Sequence, residues 1–196
     1  MKINNKQPLI GQSLRSAWMQ WGLVITLLLA IPQFALADTA AQIDRDVNNA
    51  LNKLYQTTPA ARKMAGIAKG ILVFPSIIKG GFIIGGQYGE GALRVGGRTT
   101  GYYRSLAASY GLQAGAQSFG YALFFLSDAD LRYLKNSEGW EIGVGPTIVV
   151  ADEGLARSFS TTTAKSGVYA FFFNQKGLMA GLGIQGSKIT KINPGN

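Results

Sequence analysis

The chain of 196 residues contains no cysteine and no histidine. Their absence excludes Ser-His and Cys-His nucleophilic pairs, zinc sites built on thiolate or imidazole, and the side chain best suited to proton transfer near neutral pH. It also excludes a disulfide framework, so the hydrophobic core must carry stability alone. Acids are scarce as well, 10 against 19 lysines and arginines. Asp152 and Glu153 are adjacent, but neighbours on a strand point to opposite faces and make a poor acid/base pair. The reading is therefore non-enzymatic, with no cofactor.

No apolar run reaches the roughly 20 residues that span a bilayer. The run from Trp21 to Ile31 is short and follows Lys2, Lys6 and Arg15; Pro32 and Ala35-Leu36-Ala37 come after it. A positive start, a short apolar centre and small residues at the end are the parts of a secretory signal peptide. Residues 1–37 are thus expected to be a signal peptide cleaved after Ala37, and 38–196 a single domain. The product is expected to be exported, periplasmic or peripherally membrane-associated, with an uncleaved anchor as the alternative.

The mature part carries 16 basic residues against 10 acidic ones, unevenly spread. From Val47 to Ser127 there are eight cations and one acid, Glu90; from Asp128 to Glu153 there are six acids against Arg132 and Lys135. Blocks of one sign draw in partners of the other. Nucleic acid suits the charge but not an exported protein, so anionic phospholipid or lipopolysaccharide is the expected partner.

Glycine divides the chain: 24 of 26 lie at or after Gly66. Before it, Ile43, Val47, Ala50, Leu51 and Leu54 recur at helical spacing, predicting an amphipathic helix over Thr39–Gln56, docked on a core or lying on a membrane. Thr58-Pro59 starts a second, short helix ending near Gly66 or Gly70. After it, Ile71–Phe74, Phe82–Ile84 and Ala92–Gly97 read as short strands broken by turns or bulges, and Tyr102–Leu126 as a second sheet region that ends in a buried strand, Tyr121–Leu126. Ser127 and Asp130 are spaced to cap a helix over Ser127–Asn136. Strands are expected at Trp140–Val144 and Thr147–Val150, and Val168–Phe173 with Leu178–Ile184 as a hairpin around Asn174–Gly177. The order predicts an α+β fold, N-terminal helices packed on an antiparallel barrel or sandwich with one inserted helix. Gly181-Leu-Gly183-Ile-Gln-Gly186 matches a dinucleotide fingerprint, but it follows no strand-to-helix turn and only ten residues remain, so sheet packing explains it better.

The stretch from Ala65 to Val95 sets cations among apolar runs. Lys69 and Lys79 each precede glycine, which leaves room around a cationic head, and Arg62 and Lys63 extend the basic patch from the preceding helix. These four are the candidate lipid-binding residues. Ile77, Ile78 and Phe82 are candidates for shallow apolar insertion, with core packing as the alternative. An integral outer-membrane barrel is disfavoured because the expected strands are short.

Ile67-Ala-Lys69-Gly70-Ile-Leu-Val-Phe74, Lys79-Gly-Gly-Phe82, Gly89-Glu-Gly91, Lys176-Gly-Leu-Met-Ala-Gly181 and Gly186-Ser187 together resemble the SYLF domain over Thr58–Ile192. That family includes yeast actin-patch regulators and exported bacterial members. The resemblance implies a lipid-binding domain, with phosphoinositides as the eukaryotic ligand and an N-terminal helix plus a basic patch as the contact surface. No appended module is expected, and a protein exported to a bacterial envelope would meet neither actin nor ordinarily phosphoinositides, so the implied ligand shifts to bacterial anionic lipid. A protein-interaction or scaffold module without lipid is the alternative function.

Overall fold

The computed structural model describes residues 38–151, 167–176 and 184–195, excepting the side chains of residues 81–84, 109–116 and 176. All of these belong to one unit, Ala37–Asn196. The expected signal segment, Asp152 and Glu153, and the expected strand over 178–183 lie outside the described residues.

Helix α1 (Ala40–Thr57) begins at Thr39, whose side chain accepts the Gln42 N–H at 3.2 Å. Its stripe of Ile43, Val47, Ala50 and Leu54 is buried against the sheet, the docked alternative. Helix α2 (Pro59–Ala65) follows after one residue. Thr58 does not cap it with its side chain; its backbone N–H instead closes α1 on the Leu54 carbonyl at 2.8 Å.

The glycine-rich stretch does not break into short strands. It forms two long ones, β1 (Gly70–Val95) and β2 (Arg98–Phe125), paired antiparallel along their length. Pro75 does not end β1 but falls in the register shift between Phe74 and Ile77, where the missing N–H is tolerated. Val95 pairs with Arg98 across Gly96-Gly97, both at positive φ (57° and 77°), the two-residue turn whose twist suits a hairpin.

The hairpin folds over itself. A Cβ on Gly91 would collide with the Val73 carbonyl, and one on Gly89 with the Ser76 carbonyl, so only glycine lets the two halves of β1 approach this closely. Leu72, Phe74 and Leu93 meet Tyr103, Tyr121 and Phe125 in the inner core. Ile71, Val73 and Ala92 join Phe124 and the α1 stripe in the outer one. Both faces of this part of the sheet are therefore covered, as alternate side chains of one strand require.

On the other edge of β2, residues 118–125 pair with β5 (Val168–Lys176) and residues 102–106 with β6 (Lys188–Ile192). Beyond these lie β4 (Ile148–Val150) and β3 (Trp140–Glu141). The expectation of an antiparallel barrel or sandwich is corrected in one place: β4 runs parallel to β5, so the sheet is mixed. Strand β3 is only two residues long, because after Glu141 the chain turns and the Trp140 indole donates to the Val144 carbonyl at 3.0 Å. Helix α3 (Asp128–Asn136) is capped by Ser127, whose hydroxyl accepts the Asp130 N–H at 3.1 Å and donates to the Asp130 carboxylate at 2.6 Å. The class is α+β, with six described strands in one mixed sheet.

Candidate functional site

Helix α2 is built to hold cations outward. Pro59 starts it, Ala60, Ala61 and Met64 turn into the core, and Arg62 and Lys63 are left exposed in its last turn, where the helix dipole favours positive charge. The chain then rounds a corner: the N–H groups of Ile67 and Ala68 both reach the Met64 carbonyl, at 3.1 and 3.0 Å. Lys69 follows, its N–H bonded to the Phe125 carbonyl at 2.8 Å and its side chain exposed. Arg62, Lys63 and Lys69 thus flank one corner of the molecule.

Lys79 does not belong with them. It pairs with Gln117, eight positions along β2 from Phe125. At ~3.3 Å per residue this is about 26 Å of strand. The expected cluster of four is therefore three cations at the corner and one half-buried lysine further along the hairpin. Ile77 is corrected too: it is fully buried in the inner core and has no surface to offer a membrane. Ile78 is 61% exposed. Phe82 lies in β1, and its side chain is outside the described residues.

Beside the corner runs a groove of about 640 Å³, bounded by α1, residues 65–70 and the hairpin turn. Leu51, Tyr55 and Ile71 give it apolar surface. Asn48, Asn52 and Arg94 give it a polar wall, and the turn glycines Gly96 and Gly97 close the third side. Burial pushes the Tyr55 hydroxyl above the usual phenol range, so it stays a neutral donor.

Arg94 is fixed in that wall. Its guanidinium donates to Asn48 Oδ1 at 2.7 Å and to the Asp44 backbone carbonyl at 3.2 Å, and it lies 3.6 Å from the Asp44 carboxylate. Its buried Nε has no partner. Asp44 also accepts from Thr99 Oγ1 at 2.6 Å and from the Tyr102 hydroxyl at 3.1 Å, latching the start of α1 to the tip of the hairpin. Burial and, next, the bond to Asp44 push the Tyr102 hydroxyl up. Neither Asp44 nor Arg94 was legible as a site residue. The Gly-Gly turn was a readable signal for the hairpin, but nothing in the sequence joins residues 50 positions apart.

A second ion pair removes another cation from the field. The Tyr88 hydroxyl and both Nε and a terminal nitrogen of Arg104 donate to one oxygen of Glu90, at 2.6, 3.3 and 3.0 Å. The other Glu90 oxygen is buried without a partner. Arg104 also sits 5.6 Å over the Tyr88 ring, and its hydrogen bond to Glu90 holds it above the usual guanidinium range. Among the described residues no salt bridge involves Arg62, Lys63, Lys69 or Lys79.

No family model matches the chain, and no curated protein matches it.

Proposed function

We propose that the protein binds anionic phospholipid peripherally, presenting Arg62, Lys63 and Lys69 to head groups at a membrane surface. The observation that carries this reading is the trio of exposed cations without ion pairs, flanking a groove with an apolar lining. Arg94 and Arg104 are paired with carboxylates, so the exposed charge of this region comes from the trio and from Arg98 at the hairpin tip. Each such cation near an anionic surface contributes about 1 kcal/mol, and three together suffice for reversible, salt-sensitive attachment. This is the activity implied by the likeness to SYLF domains. The reading needs no catalytic group and no cofactor.

An integral barrel is no longer disfavoured by strand length, since β1 and β2 are 26 and 28 residues long. The coverage of both sheet faces around Leu72, Val73 and Leu93 argues against a lipid-facing wall there. No helix among the described residues is long and apolar enough to cross a membrane.

Co-sedimentation of the full chain with vesicles of phosphatidylglycerol and phosphatidylethanolamine tests the proposal. Binding is expected to weaken with salt and to be lost when Arg62, Lys63 and Lys69 are all changed to Glu. Binding that ignores both changes overturns it. Capture of a protein partner with no vesicle binding favours the interaction-module alternative.

A further inference from the structure

We infer that the groove between α1, the Ala65–Gly70 corner and the Gly96-Gly97 turn is a site for a single molecule of anionic lipid, taking its glycerol-phosphate end and the first methylenes of an acyl chain. This rests on the lipid reading and goes beyond it. Surface charge alone gives diffuse attachment to a bilayer, whereas a groove gives one ligand per protein.

Three observations point to this occupant. The volume of about 640 Å³ lies within the roughly 300–1,000 Å³ of small-molecule sites. Its lining is split, with Leu51 and Ile71 offering hydrocarbon, and the Asn48 and Asn52 amides with Arg94 offering polar groups on one wall. Amide side chains can both donate and accept, which matches ester carbonyls and a glycerol hydroxyl. Arg94 is the one charged side chain among the described lining residues, and exposed cations adjoin lining residues in the chain: Lys69 stands between Ala68 and Gly70, and Arg98 follows Gly97. Lys63 is exposed two residues before Ala65, which also lines the groove. A phosphate held by Lys63 and Lys69 leaves its glycerol esters facing the polar wall and its chain over Leu51 and Ile71. A neutral amphiphile would leave those cations unanswered, and a free phosphate would leave the apolar surface bare.

The test uses lipids too short to form bilayers, titrated calorimetrically below the concentration of micelle formation. Dibutanoyl- and dihexanoylphosphatidylglycerol are compared on the full chain, with dihexanoylphosphatidylcholine as the neutral counterpart. The expected result is saturation at one lipid per chain, with affinity rising about fourfold for each methylene taken into the groove. Phosphatidylcholine has the same phosphate but sets a choline cation beside Lys63 and Lys69, and should bind about fivefold more weakly, the worth of one unit of charge near the head group. Amide resonances of Asn52, Gly96 and Gly97 should shift on titration.

Gly66→Trp fills the groove without straining the chain, because Gly66 has ordinary helical φ of −69° and is exposed. It should lower short-chain affinity at least tenfold, and Ala68→Leu provides the same test if the first variant fails to fold. Vesicle binding without any short-chain binding overturns the groove and leaves the peripheral reading intact. Loss of both overturns the two together. Equal affinity for the two head groups, or for the Gly66→Trp chain, also overturns the groove site.

Discussion

The hydroxyl of Tyr121 donates to the hydroxyl of Ser105 at 2.9 Å, joining two places on the same strand 16 residues apart. Both residues are fully buried. Straight, 16 residues of strand would span about 53 Å. The bond therefore exists only because the hairpin folds over, and it lies inside the fold that sets the corner and the groove.

Burial pushes the Tyr121 hydroxyl well above the phenol range, and the Ser105 bond pulls it partly back. A raised value in the folded state means the unfolded chain gives up this proton first. The stabilisation is present in full below about pH 10, the unfolded value, and falls as pH rises toward the folded one. Denaturant titrations between pH 8 and 11 should show stability declining above pH 10. Tyr121→Phe should make that decline shallower by up to about 1.4 kcal/mol per pH unit, at a cost of about 1 kcal/mol at neutral pH. An unchanged slope would place the phenol in contact with water.

Gly91 and Gly97 should respond to alanine for different reasons. At Gly91 the methyl meets the Val73 backbone, which cannot step aside, so a loss of about 3 kcal/mol or more is expected. At Gly97 nothing stands within 4 Å, and only the positive φ of 77° resists, for about 1–2 kcal/mol. Urea midpoints of the two variants should rank in that order; the reverse order would deny the close crossing of the β1 halves.

Asp44→Ala removes the acceptor shared by Thr99, Tyr102 and Arg94. Leaving a nearly buried guanidinium with less compensation should cost about 2 kcal/mol. Hydrogen exchange should quicken first in residues 40–47 and around the hairpin tip, while β5 stays protected. Uniform acceleration would mean that α1 and the sheet open as one.

Lys69→Glu and Lys79→Glu separate the corner from the rest of the hairpin. Reversal at Lys69 should weaken binding to phosphatidylglycerol vesicles about tenfold or more, by roughly 2 kcal/mol for two units of charge. Reversal at Lys79, half-buried and eight register positions further along the hairpin, should change it less than threefold at 0.15 M salt, where fields decay within ~8 Å. Equal losses in co-sedimentation would join the two into one contact surface.

The local rules of the chain were sufficient for its local structure. The apolar spacing of Ile43, Val47, Ala50 and Leu54 determined both the helix and its buried face, and Ser127 with Asp130 determined where α3 begins. Helices before a glycine-rich run of strands determined the α+β class, and the lack of histidine and cysteine limited the chemistry, all without reference to any distant contact. What the sequence could not supply was the reach of β1 and β2, because glycine reads equally as a break and as a bend. Only the folded hairpin decided that it bends, by bringing Val73 against Gly91. The same fold buried Ile77, separated Lys79 from Lys69, and joined Arg94 to Asp44. Spacing along a chain fixes which face a side chain takes, but which faces meet depends on long-range closure, and the candidate site is made of such meetings.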